Sequence, residues 1–166
     1  MNLLPGRARR MLLATAIVIG GVFLSTRTGS SQPILSRFVG SWQGTVAAVN
    51  PPGLPPFTSL ITFFNDGNVI ESRRLYVAAS PFGPMFETPS HGGWVRTGGN
   101  DFDVSFMFLL QRAADGSDVG TDNIRLHLHL DAIRNRLTGT LVSTIKDSAG
   151  NTLFSASGNY DATPVP

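Results

Sequence analysis

The sequence predicts an all-β protein: an eight-stranded antiparallel up-and-down β-barrel, preceded by a signal peptide and a short helical turn. Three observations predict it. From residue 40 onward, eight segments alternate apolar and polar residues with a period of two, and turn residues separate them. Most connections between consecutive segments are short, which makes consecutive strands antiparallel neighbours. No apolar pattern of period 3.6 runs long enough to supply helices that would cover a sheet. Closing eight such strands into a barrel leaves no edge exposed. A two-sheet sandwich is the alternative arrangement, but it needs long crossovers and this chain has few.

Residues 1–30 read as an export segment. Arg7, Arg9 and Arg10 form a basic stretch, and Met11–Leu24 is an apolar run of 14 residues. That length suits a signal peptide core of about 7–15 residues and falls short of the about 20 that a spanning helix needs. Small residues follow at 25–30 without an Ala-x-Ala cleavage site, so cleavage and retention as an N-terminal anchor both stay open. The expected location is periplasmic or extracellular, with a membrane touched only through this segment if it is uncleaved. Residues 31–39 are expected as a short helical plug, since Ile34, Leu35, Phe38 and Val39 have helical spacing and Gly40 ends the run.

The barrel domain is expected over residues 40–162, with 163–166 as a tail. Its strands are predicted at about Ser41–Asn50, Phe57–Phe64, Asn68–Val77, Gly93–Thr97, Asp101–Arg112, Thr121–Ala132, Arg136–Lys146 and Thr152–Tyr160. Asn65-Asp66-Gly67-Asn68 and Gly98-Gly99-Asn100 are hairpin turns, because Gly and Asn tolerate positive φ. The sixth strand alternates most cleanly, with Ile124, Leu126, Leu128 and Leu130 on one face and Arg125, His127, His129 and Asp131 on the other. The fifth places Phe102, Val104, Phe106, Phe108 and Leu110 on one face.

In such a barrel alternate loops share an end. The connections after strands two, four and six are tight, so that end is closed, with the helical turn beside it. The other end carries the Pro-rich segment 51–56 and a long stretch, Ala78–Gly92, bearing Phe82, Met85, Phe86, Glu87 and His91. Loops beyond about 12 residues are uncommon unless functional or disordered. A pocket is expected to open there, or else these side chains cap a filled barrel.

Composition narrows the function. Four arginines of 1–30 carry the excess positive charge; removing them leaves nine basic against eleven acidic residues. No nucleic-acid partner is expected, because the folded part has no basic stripe and one lysine, Lys146. The absence of cysteine excludes disulfides, thiolate metal sites and a thiol nucleophile. There is no phosphate loop, dinucleotide fingerprint or Gly-x-Ser-x-Gly elbow, so no cofactor is expected.

Gly40-Ser41-Trp42 after a helical turn resembles the Gly-x-Trp start of lipocalins and related calycin barrels. With Gly92-Gly93-Trp94 as a second such element, residues 40–160 also look like the small bacterial barrels similar to allene oxide cyclase. The resemblance implies an eight-stranded barrel whose first Trp packs across the closed end. It also implies either binding of a small apolar molecule or a cofactor-independent isomerase or cyclase.

Candidate site residues follow. His91, Glu71 and Glu87 are candidate catalytic groups, His91 as a general base and the carboxylates as polar steering groups. Phe57, Phe82, Met85, Phe86, Trp94, Arg96, Phe102, Phe106 and Phe108 are candidate ligand contacts. Arg96 shares a face with Trp94 and, if lumenal, needs Glu71 as its partner or a ligand carboxylate. His127 and His129 alternate on one strand face, as a zinc chelate requires, but that face is the outer one and Arg125 lies on it, so no metal is expected. The expected function is an exported barrel that holds a small hydrophobic or amphipathic molecule; the alternatives are the isomerase or cyclase and a filled structural barrel.

Overall fold

The computed structural model describes residues 32–78 and 80–166; the export segment expected over residues 1–30 lies outside the described residues. A helix, α1 (Gln32–Phe38), precedes β1 (Gly40–Asn50), β2 (Phe57–Phe63), β3 (Asn68–Ser72), β4 (Tyr76–Val77), β5 (Met85–Glu87), β6 (Ser90–Gly98), β7 (Asp101–Arg112), β8 (Asp118–Asp131), β9 (Arg136–Lys146) and β10 (Thr152–Pro164). Eight of these strands form a closed antiparallel barrel in the order β7-β6-β3-β2-β1-β10-β9-β8, with β8 pairing back onto β7. This is the architecture read from the sequence.

Two short strands are the exception. β5 pairs with the far end of β7, Met85 opposite Arg112 and Glu87 opposite Leu110, and β4 pairs with β5. β5 therefore continues the line of β6, and β4 that of β3. The long loop expected at Ala78–Gly92 is corrected by this pairing: only residues 78–84 connect β4 to β5. Pro81, Gly83, Pro84 and Pro89 made the whole stretch read as loop. Proline cannot donate to a ladder, yet Pro89 falls in the break between β5 and β6. There Thr88 holds the line, its amide donating to the Leu109 carbonyl (3.1 Å) and its hydroxyl accepting from the Leu109 amide (3.1 Å). At the other terminus β10 runs on through the expected tail to Pro164, which pairs with Trp42.

Facing follows the two-residue period. Phe102, Val104, Phe106, Phe108 and Leu110 are buried inside, as are Ile124, Leu126, Leu128 and Leu130. The turn at residues 65–67 needs positive φ at Gly67 (87°), and Asp66 steadies it by accepting from the Asn68 amide (3.0 Å).

α1 plugs the closed end. Phe38 is fully buried, stacked on Phe102 (centroids 3.6 Å apart) and Phe63 (4.2 Å), with the Trp94 indole edge-on at 4.9 Å. Trp42 lies beneath it, and its Nε1 donates to the Phe38 carbonyl at 2.9 Å. Each such ring contributes about 1.5–3 kcal/mol by leaving water. The opposite end carries the connections 51–56, 78–84, 113–117 and 147–151.

Candidate ligand-binding site

Above the plug the lumen changes character. The inward positions of β2, β3, β5, β6, β8, β9 and β10 supply Ser59, Glu71, Glu87, Ser90, Asp122, Ser143 and Tyr160, and Arg73 follows directly after β3. Of these, Ser59, Glu71, Glu87, Ser90, Asp122 and Tyr160 are buried. Arg73 is the hub. Its Nε donates to Glu87 Oε2 (2.6 Å), and its Nη2 donates to Glu87 Oε1 (2.9 Å) and Asp122 Oδ2 (3.2 Å). The guanidinium lies 4.2 Å from the Phe108 ring centroid and 5.1 Å from that of Phe57, so aromatic faces hold it as well. Asp122 Oδ1 accepts from the Ser143 hydroxyl at 2.7 Å. Burial alone would make the guanidinium easier to deprotonate; the bond to Glu87 and the field of three carboxylates reverse that and hold its pKa above the ordinary value.

Glu71 sits differently. The Ser90 hydroxyl accepts from its backbone amide (3.0 Å) and donates to its carbonyl (3.1 Å), which fixes the strand beneath the side chain. The carboxyl group has one oxygen, Oε2, with no hydrogen-bond partner in the protein, and the Tyr160 hydroxyl has none either. Both residues are 3% exposed. Leaving a buried polar atom unpaired costs about 1–3 kcal/mol, so these atoms mark a place the fold leaves unsatisfied. The Tyr160 ring crosses β1 at Gly44, where a Cβ would collide with it, so a glycine makes its position reachable.

Burial pushes the Glu71 carboxyl up to about 7; Arg73 and Ser59 oppose the rise, while Glu87 and Asp122 add to it. Burial likewise raises the Tyr160 hydroxyl, which stays neutral. A folded-state value above the ordinary 4.5 stabilises the protein fully below pH 4.5, and that stabilisation is lost as pH rises through about 7. Glu71→Gln removes the dependence. The unfolding free energy of the parent minus that of the variant should fall by about 2–4 kcal/mol over this range, measured by urea titration at successive pH values. Parallel curves would contradict the burial of an ionisable Glu71.

The sequence-predicted residues divide. Glu71, Glu87, Met85, Phe57, Phe106 and Phe108 face the upper lumen, and Phe82 folds onto the core from the 78–84 connection. Glu87 is committed to Arg73. His91 lies on β6, not in a loop, and is exposed on the outer face, so it does not meet Glu87. Phe86 also points outward, 46% exposed against the Tyr76 ring (5.6 Å). Trp94 and Phe102 belong to the plug: Phe102 stacks on Phe38 and the Trp94 indole meets both rings edge-on, so they pack against α1 rather than line the upper lumen. Arg96 does not pair with Glu71: its guanidinium donates to the Gly99 carbonyl at the closed end. His127 and His129 are exposed outside, each spending Nδ1 on a carboxylate, Asp103 and Asp101, at 2.7 Å. Among the described residues no group of three His, Cys, Asp or Glu is arranged to hold a metal ion.

No family model matches the chain, and no curated protein or solved structure matches it. The site therefore rests on its own geometry. Two open surface depressions, of about 680 and 400 Å³, lie on the outer wall. The larger crosses β6–β9 and is bordered by Val95, Asp103, Arg125, His127 and Val142. Sequence reasoning missed Arg73, Asp122 and Tyr160. A signal existed for two: Arg73 continues the inward series Val69, Glu71, and Asp122 continues the apolar face of Ile124 to Leu130.

Proposed function

We propose that the protein is an exported binding barrel that admits a small amphipathic molecule from its open end into the upper lumen. One observation carries this reading: the buried, unpartnered Glu71 Oε2 and Tyr160 hydroxyl in the half of the lumen that Phe57 and Phe108 line. A barrel serving only as a scaffold gains stability by filling such positions with apolar side chains, as it does below them. Apolar walls with a few placed polar groups are the usual make-up of small-molecule sites. Phe57, Phe82 and Met85 supply the apolar contact here. The Gly40-Ser41-Trp42 start, with Trp42 across the plugged end, supports the calycin-like reading, and the basic-then-apolar run before residue 25 supports export.

The test uses the neutral fluorescent probe N-phenyl-1-naphthylamine. The expected result is a saturable, single-site rise in emission that Phe82→Ser weakens. A linear, unsaturable response equal to that of a denatured control would sink the binding reading. A second reading, a cofactor-independent isomerase, is favoured by the Glu71 carboxyl standing near 7, where an acid–base group works best at neutral pH. Turnover of a bound molecule, blocked by Glu71→Gln, would select it.

A further inference from the structure

We propose that the upper lumen selects molecules headed by a primary ammonium group, seated between Glu71 Oε2 and the Tyr160 hydroxyl. The inference rests on the binding reading above and names the chemistry of its ligand.

Charge balance comes first. Three carboxylates, Glu71, Glu87 and Asp122, share one guanidinium, that of Arg73. Glu87 takes that cation in a two-bond fork, and Asp122 takes a third bond and a serine hydroxyl. Glu71 receives none of these donors at Oε2. The cluster thus holds more negative than positive charge in a place screened from water, where uncompensated charge is costly. A carboxylate head would add to the excess and find the Arg73 fork already occupied. A hydroxyl head could donate to Glu71 Oε2 and accept from the Tyr160 hydroxyl, but it would leave the charge excess in place. A primary ammonium has three donors, no acceptor and a full positive charge. It meets Glu71 Oε2 as a charge-assisted bond and the Tyr160 oxygen as a second, and Ser59 stands beside both groups. The apolar body then points to the mouth, along Phe57 and Phe108.

Linkage gives the pH sign. Glu71 faces Arg73 of its own line, Glu87 of β5, Asp122 of β8, and Ser59 and Tyr160 from β2 and β10. Its carboxyl stands at about 7, so a bound cation draws it into the ionised form. Affinity should therefore rise from pH 6 to pH 8, where an alkylamine, like lysine at about 10.4, stays protonated.

The experiment is calorimetry of n-hexylammonium, n-hexanol and n-hexanoate with the parent and with Glu71→Gln, at pH 6 and pH 8. The expected order at pH 8 is ammonium tightest and hexanoate weakest. The ammonium should exceed the alcohol by about tenfold or more, the size of one charged hydrogen bond. Glu71→Gln should erase that ratio and its pH dependence, and its melting curve verifies that it folds. Hexanoate binding as tightly as the ammonium, or a ratio unchanged in Glu71→Gln, overturns the proposal. No heat with any of the three, alongside saturable naphthylamine binding, overturns this inference alone; no heat and no dye binding removes the binding reading with it and leaves water as the partner of both atoms.

Discussion

Phe102→Ala should lower the melting temperature by about 12–20 °C, the largest effect expected of any single truncation in the plug. Truncating a core phenylalanine costs about 3–5 kcal/mol, and each kcal/mol shifts the melting point of a domain of this size by about 4 °C. Phe102 is fully buried, and its ring is stacked face to face with Phe38 and edge-on to Trp94. Removing it opens a cavity that α1 cannot follow, because Phe38 is held from its other side by Phe63. His127→Ala is the control: its side chain is 61% exposed and pairs only with an exposed carboxylate, so its melt should move little. Equal melting points for the two variants would contradict the inward facing of β7.

Arg73→Met should destabilise the protein by about 3–5 kcal/mol, the cost of removing one partner from a buried ion pair. The shape of the side chain is nearly kept, but Glu87 loses both its bonds and Asp122 loses one. The cation–π contacts with Phe57 and Phe108 go with them. Adding Glu87→Gln to Arg73→Met should recover part of the loss, since one stranded charge is removed. Urea midpoints for parent, single and double variants check this. A double variant less stable than the single one would mean that Glu87 is supported by groups other than Arg73.

The fold was legible because its main signal is local. In Ile124–Leu130 every second residue is apolar, and one such strand settles its own facing without knowledge of any neighbour. The closed order also followed, since short turns leave consecutive strands little choice. The β4–β5 pair escaped because prolines at 81, 84 and 89 speak against a ladder in any short window, and only the pairing with β7 reveals which positions need no donor. The polar cluster was harder still. Arg73 just past β3, Glu87 on β5, Asp122 on β8 and Tyr160 on β10 come from segments that do not pair with one another and face a common lumen only once the ring has closed. A charged residue near a strand end is ordinarily solvated, so an inward Arg73 becomes reasonable only once Glu87 and Asp122 are known to await it. Glu71 is legible as a polar candidate, but the pairing with Arg96, expected only if Arg96 is lumenal, does not form: the register places Arg96 at the plugged end, away from it.

The plugged end also gathers both ends of the described chain. α1 begins there, and β10 finishes there, where the Val165 amide bonds to the Ser41 carbonyl at 2.9 Å. A strand of 11 residues, rising about 3.3 Å each and tilted about 40°, sets the two poles roughly 25–30 Å apart. Any handle fastened before Gln32 or after Pro166, whether a bead, a sensor chip or a fused partner, therefore grips the molecule by its base. The opposite end, with the connections 51–56, 78–84, 113–117 and 147–151, stays clear of whatever holds the molecule.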